Sequence, residues 1–190
     1  MKKYGAVLAV VTGCLVGNAA QADNQTVSIG YAQSKVQDFK NIRGVNLQYQ
    51  YEWDSPLSVL GSFTYMKASE GHTAGSSIFG TPAQYKKDTD AKYYSLLIGP
   101  SYRLNDYISL YGLIGAAHTK ENTDERVGNN TYSRKESYSS NSTSLAYGLG
   151  FSVNPTDYLV MRIGYEGTES KHNGKTHDVN GFNIGVGYRF

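Results

Sequence analysis

Apolar residues alternate with small or polar ones in short runs along most of this chain. In 45–53, Val45, Leu47, Tyr49, Tyr51 and Trp53 share one parity, and Asn46, Gln48, Gln50 and Glu52 share the other. The last residues repeat the pattern. Phe182, Ile184, Val186, Tyr188 and Phe190 are separated by Asn183, Gly185, Gly187 and Arg189. A period of two places the two sets on opposite faces of a strand. The same alternation predicts strands at 26–35, 57–67, 91–104, 107–120, 142–153 and 158–167. Together with 45–53 and 179–190 they make eight. Pro100 falls inside the fourth, and proline cannot donate to a ladder, so a local break is expected there.

The connections then sort by length. Polar segments at about 36–43, 68–90, 121–140 and 168–178 alternate with short turns at 54–56, 105–106 and 154–157. A soluble sandwich does not usually divide its loops into two size classes by parity. A barrel with both termini at one end does, because parity sets the side of the membrane. The predicted fold is therefore all-β, an eight-stranded antiparallel up-and-down transmembrane β-barrel, with the four long loops extracellular. The aromatics agree with two interfaces. Tyr51, Trp53, Tyr102, Tyr188 and Phe190 fall near the short turns, and Tyr31, Tyr65, Tyr94, Tyr165 and Phe182 near the long loops.

Composition narrows the class further. The chain has 190 residues, with 17 Tyr and 21 Gly but only 4 Pro. No apolar run is long enough for a membrane helix, yet strands dilute their apolar residues by alternation. Residues 1–22 read as a signal peptide: Lys2 and Lys3, an apolar stretch from Tyr4 to Gly17, then Ala20-Gln21-Ala22, with Asp23 as the mature start. A rival signal, Val11-Thr12-Gly13-Cys14, would instead lipidate Cys14. Removing Lys2 and Lys3 takes the 18 basic residues to 16, against 16 acidic ones. A neutral mature chain argues against nucleic acid as partner. Without Cys14 it has no cysteine for a disulfide or a thiolate metal site.

Several runs resemble one family. They are Gly30-Tyr31-Ala32-Gln33-Ser34, Tyr51-Glu52-Trp53-Asp54-Ser55-Pro56-Leu57, Gly61-Ser62-Phe63-Thr64-Tyr65, Gly99-Pro100-Ser101-Tyr102-Arg103-Leu104-Asn105-Asp106 and Gly185-Val186-Gly187-Tyr188-Arg189-Phe190. In this order they resemble the OmpX/Ail/PagC/Lom family of enterobacterial outer-membrane proteins. The resemblance is weak in 68–90 and 121–140. It implies a closed barrel in the bacterial outer membrane and a virulence-related role: adhesion, invasion or serum resistance. It carries over no functional residue. Tyr188 and Phe190 resemble the carboxyl-terminal aromatic signal read by the outer-membrane insertion machinery.

Candidate chemistry follows from the layout. Eight strands leave room only for side chains inside. Glu52, Arg103, Arg162 and Glu166, with Gln48 and Gln50, are expected to form a packed polar lumen. Arg162 and Glu166 lie about 13 Å apart along one strand, so each is expected to pair with charges on neighbouring strands. A small pore is the less favoured reading. His172, His177 and Asp178 match no strong metal spacing, and no cofactor, metal or enzymatic activity is expected. The loops carry Lys86, Lys87, Arg126, Tyr132, Arg134, Lys135 and Tyr138 as candidate interaction residues; Tyr with Ser and Asn makes adaptable binding surfaces. Lys67, Lys92 and Lys120 suit lipopolysaccharide phosphates. The expected partners are outer-membrane lipid and lipopolysaccharide, the insertion machinery, and host matrix proteins or complement regulators, bound by a monomer. The alternative is a structural barrel that stabilises the lipopolysaccharide surface without a dedicated ligand.

Overall fold

Strands form where the alternation predicts them, and each pairs with its neighbours in sequence. The computed structural model describes residues 24–36, 41–78, 81–128, 133–172 and 175–190. The strands are β1 Asn24–Val36, β2 Ile42–Glu52, β3 Leu57–Ile78, β4 Thr81–Arg103, β5 Ile108–Gly128, β6 Ser133–Val153, β7 Leu159–His172 and β8 Lys175–Arg189. All are antiparallel, and β8 closes on β1 with Thr26 opposite Arg189 and Tyr31 opposite Ile184. The Phe190 and Gln25 amides each donate to the other's carbonyl at 2.9 Å, so the last residue is tied into the seam. The targeting segment 1–22 and Tyr132 lie outside the described residues.

The short turns are held by their own polar side chains. Asn105 Oδ1 accepts from the amides of Tyr107 (2.9 Å) and Ile108 (2.8 Å). Thr156 Oγ1 accepts from the Leu159 amide at 3.1 Å. Such Asx- and ST-type turns let four residues (104–107) and five residues (154–158) reverse the chain. Pro100 behaves as the sequence predicts. The β4–β5 ladder has partners at Ile98–Ile114 and Ser101–Tyr111 but none at the two positions between, while β3–β4 pairing runs on through Val59–Pro100. The missing N–H is the one that would face β5. Gly99 fits beside this break because a Cβ there would lie 2.1 Å from the Gly112 carbonyl oxygen.

Burial is inverted relative to a soluble protein. Ile29, Leu96 and Leu145 are 58%, 67% and 68% exposed on the outside of the ring, whereas Gln48 and Glu52 are each 4% exposed inside it. An apolar exterior all round the ring is untenable in water and correct in hydrocarbon. The lumen is not wholly polar, however. Leu60, Met66, Tyr93, Leu97, Tyr111 and Leu113 form a buried apolar cluster within it. The strands responsible carry apolar residues at both parities, as in Leu96-Leu97-Ile98, so alternation alone hides the inward members.

The structure also differs in the expected loops 68–90, 121–140 and 168–178, the last continuing as β7–β8 ladder from Glu169–Asp178 to His172–Lys175. Pairing does not stop at Lys67. It continues from Ala68–Ala91 to Ile78–Thr81 between β3 and β4, and from Glu121–Ser140 to Gly128–Ser133 between β5 and β6. The β4 and β5 extensions pair with each other as far as Gln84–Gly128. Most of both longer segments is therefore ladder, not loop. Their polar residues occupy both faces because both faces are wet, which removes the period-two signal. A tilted strand crosses a bilayer in about 9–11 residues. At 21 to 23 residues, β3 to β6 rise well beyond it as a four-stranded wall.

Candidate functional site

Two polar regions follow from this fold: the lumen and the wall. In the lumen, Glu52 lies at the short-turn end. Its Oε2 accepts from Arg103 at 2.6 Å and from Arg189 at 2.8 Å. Arg189 faces the lumen through the β8 alternation, and the β1 seam brings it beside Glu52. Arg162, 1% exposed, donates to Ser28 Oγ at 2.6 Å and to Gln50 Oε1. Glu166 accepts from Tyr93 Oη at 2.6 Å and Thr64 Oγ1 at 3.0 Å. The expectation that Arg162 and Glu166 would each meet an opposite charge is thus corrected. Their hydrogen-bond partners are neutral, because the strands flanking β7 on either side, β6 and β8, offer only Ser and Gly at those levels. Tyr93, which holds Glu166, was missed. Its neighbour Tyr94 carries the outward parity, and that was the available signal.

The wall has two faces set by the same parity. One continues the lumen side. There Lys87 pairs with Glu125 at 3.1 Å, Tyr138 Oη donates to Glu136 Oε2 at 2.7 Å, and Arg134 pairs with Glu136. The other face continues the lipid side, and on it the register sorts the charges into bands. At the membrane level Arg43, Lys67, Lys92 and Lys120 stand opposite one another on β2 to β5. Next come Asp90 beside Asn122, then Asp88 beside Asp124. Above those, Lys86, Arg126 and Lys135 stand opposite one another on β4, β5 and β6. Three two-residue steps separate the cation bands, about 20 Å.

Like charges directly opposite destabilise a sheet. The acids relieve part of the upper band, with Lys86–Asp88 at 3.4 Å and Lys135–Asp124 at 3.6 Å. Arg126 and the four cations of the lower band have no ion-pair partner among the described residues. Just below the lower band, Tyr65 and Tyr94 rings lie 5.0 Å apart. At the opposite end Tyr51 meets Trp53 at 5.2 Å and Tyr188 stacks on Phe190 at 6.2 Å. The two aromatic levels bracket the apolar exterior, as membrane interfaces require. His118 Nδ1 lies 2.8 Å from Thr143 Oγ1, and the His172, His177 and Asp178 side chains lie outside the described residues.

Hydroxyl hydrogen bonds, with ion pairs adding to them, hold two wall carboxyls low. The Ser137 hydroxyl, with Lys135 adding to it, holds the Asp124 carboxyl below its ordinary value of 3.8. The Tyr138 hydroxyl, then Arg134, does the same for Glu136, whose ordinary value is 4.5. A lowered carboxyl value stabilises the folded form above the ordinary value and loses that contribution as pH falls through the folded one. Amide protection at 134–138, corrected for the intrinsic pH dependence of exchange, is therefore expected to be unchanged between pH 7 and about 5, and to fall only below the ordinary values. Protection lost already at pH 6 would contradict this.

A closed antiparallel ring with an apolar exterior, a filled lumen and two aromatic levels defines a transmembrane β-barrel. The chain matches the family described as outer membrane protein beta-barrel domain over residues 6–190. It belongs to the OmpX/Ail/PagC family of outer-membrane proteins and resides in the bacterial outer membrane, which its strands cross. Among its relatives, virulence membrane protein PagC of Salmonella typhimurium is 44% identical, covering 96% of each chain. The attachment invasion locus protein of Yersinia enterocolitica is 38% identical over 91% of this chain and 89% of that one. The crystal structure of Ail of Yersinia pestis in complex with the heparin analogue sucrose octasulfate has a TM-score of 0.65 at 36% identity. It covers 88% of this chain and 99% of that one.

Proposed function

We propose that this barrel is a surface adhesin or serum-resistance protein that binds host components through the wall built from β3 to β6. The wall stands on the extracellular side, with the short turns in the periplasm. The observation that carries this reading is the charge banding of its lipid-side face. Lys86, Arg126 and Lys135 oppose one another across three strands at a cost in stability, and a bound polyanionic host surface would offset that cost. A related barrel has been solved with a sulfated heparin analogue, which supports an anionic matrix component as the partner class. Lys87, Arg134 and Tyr138 flank this band on the other face as secondary contacts. The lower band, Arg43, Lys67, Lys92 and Lys120, meets outer-leaflet phosphates of lipopolysaccharide. Tyr188 and Phe190 at the seam offer the aromatic pair to the insertion machinery.

Replacing 68–90 and 121–140 by short turns tests the reading. Binding of intact cells to matrix proteins and complement regulators is expected to fall at least tenfold, with heat-modifiable migration of the barrel retained. Unchanged binding would sink the adhesin reading and leave a structural barrel that serves the lipopolysaccharide surface through its lower band alone.

A further inference from the structure

The lumen holds more positive than negative charge at its short-turn end. Arg103, Arg162 and Arg189 face inward there, and Glu52 is the one inward carboxylate at that end among the described residues. Glu52 already serves Arg103 and Arg189. The next inward carboxylate, Glu166, lies four residues along β7 from Arg162, about 13 Å away, and is held by Tyr93 and Thr64. Arg162 is 1% exposed and has no ion-pair partner among the described residues. A buried charge is tolerated only when it is both hydrogen-bonded and paired.

Unanswered donors gather at the same place. Arg162 Nε, Arg189 Nε and Thr26 Oγ1 are enclosed and have no hydrogen-bond partner among the described residues. The register brings them together. Thr26 stands opposite Arg189 on β8 and opposite Gln50 on β2. Gln50 and Ser28, the neighbours of Thr26 across the ladder and along its own face, are the groups that receive the Arg162 guanidinium. To reach them Arg162 crosses β8, which carries Gly185 and Gly187 along that path. A Cβ at Gly187 would strike Ser28 Oγ. On the outer side, Tyr111 Oη donates to the Ile163 carbonyl at 3.3 Å, and a Cβ at Gly164 would strike that hydroxyl. Tyr111 therefore lies one inward step above Arg162, between it and Glu166. On the periplasmic side Arg103, about a third exposed, leaves a path for a small ion.

We propose that this end of the lumen binds a small monovalent anion of the chloride class, held by the Nε–H groups of Arg162 and Arg189 and the hydroxyl of Thr26. All three groups can donate. An anion answers them together and supplies the charge that Arg162 lacks, whereas a water brings no charge. Glu52 does not forbid it, because three guanidiniums against one carboxylate leave this end positive. Eight strands leave an interior just wide enough for side chains, so an organic anion such as gluconate is too large to enter.

Urea unfolding of the purified barrel in neutral lipid vesicles, read by heat-modifiable migration, tests the site. Sodium chloride is exchanged for sodium gluconate at constant ionic strength. A ligand bound only by the folded form stabilises it in proportion to the logarithm of its concentration, so above the dissociation constant tenfold more chloride is expected to raise the folded-to-unfolded ratio about tenfold. T26V keeps the shape and removes one donor, and should move the onset to about fivefold higher chloride. R162M should abolish the dependence, and T26V serves if R162M folds poorly. Bromide soaked into crystals of the barrel should give an anomalous peak within hydrogen-bond reach of Arg162 Nε and Thr26 Oγ1. A ratio indifferent to the exchange of chloride for gluconate would overturn the proposal and leave the site to water. Dependence unchanged in both variants would also overturn it, since the anion would then act elsewhere on the barrel. A bromide peak confined to surface cations, an adventitious ion only, would do the same.

Discussion

Replacing Glu52 with alanine is expected to destabilise the barrel by about 3–5 kcal/mol, the range for breaking a buried ion pair by removing one partner. One carboxylate oxygen serves two guanidiniums, at 2.6 and 2.8 Å. The two are not equally dependent on it. Arg103 is about a third exposed at its side chain and can turn toward water at the turn end, whereas Arg189 is 14% exposed and held in the β8–β1 seam. Most of the loss therefore comes from Arg189 left unpaired. Urea-driven unfolding of the purified barrel in lipid vesicles, followed by heat-modifiable migration, measures it. The double variant E52A/R189M should recover most of the loss, because removing both members of a buried pair costs far less than removing one. A double variant as unstable as the single would mean that Arg189 is not the source. Glu52→Gln should fall between, keeping an acceptor but not the charge.

The barrel itself was legible because lipid imposes a strict rule on sequence. Val45 to Glu52 alternates without exception, and the structure puts Val45, Leu47, Tyr49 and Tyr51 outside and Asn46, Gln48, Gln50 and Glu52 inside. Pro100 was legible for a different reason, since a missing donor has one consequence in a ladder. The wall was not legible as strands. A ladder wet on both faces gives no period, so 68–90 and 121–140 read as loops. The charge bands were hidden by a second cause. Lys92 and Lys120 are 28 positions apart, and Lys86 and Arg126 are 40 apart. Only the register, known once pairing is seen, makes them neighbours. A sequence reading that finds mixed signs in a segment sees the sum of the bands and not their order. The partners of Arg162 and Glu166 were missed for the same reason, because contacts across the lumen skip strands and no parity rule identifies them.

Neutralising the lower band is expected to change stability with opposite sign in two surroundings. In the variant R43Q/K67Q/K92Q/K120Q, three like-charged cross-strand oppositions disappear: Arg43–Lys67, Lys67–Lys92 and Lys92–Lys120. Each costs the parent on the order of 0.2–1 kcal/mol, so in a neutral detergent the variant should unfold at a higher denaturant concentration than the parent. In vesicles containing lipopolysaccharide the order should reverse. There the parent's cations would meet phosphates through charge-assisted hydrogen bonds, which are roughly twice as strong as neutral ones, and glutamine could not replace them. The aromatic level of Tyr65 and Tyr94 directly below fixes the band at headgroup height, so the phosphates need not be drawn from elsewhere. Raising the salt should shrink both differences, since exposed charges are screened within about 10 Å at 0.1 M. A variant more stable than the parent in both surroundings would show that the band is only a burden and that some other feature holds the outer leaflet. A reversal would show that the cost built into the sheet is recovered from the membrane the barrel sits in, and that the wall above it starts from a fixed height.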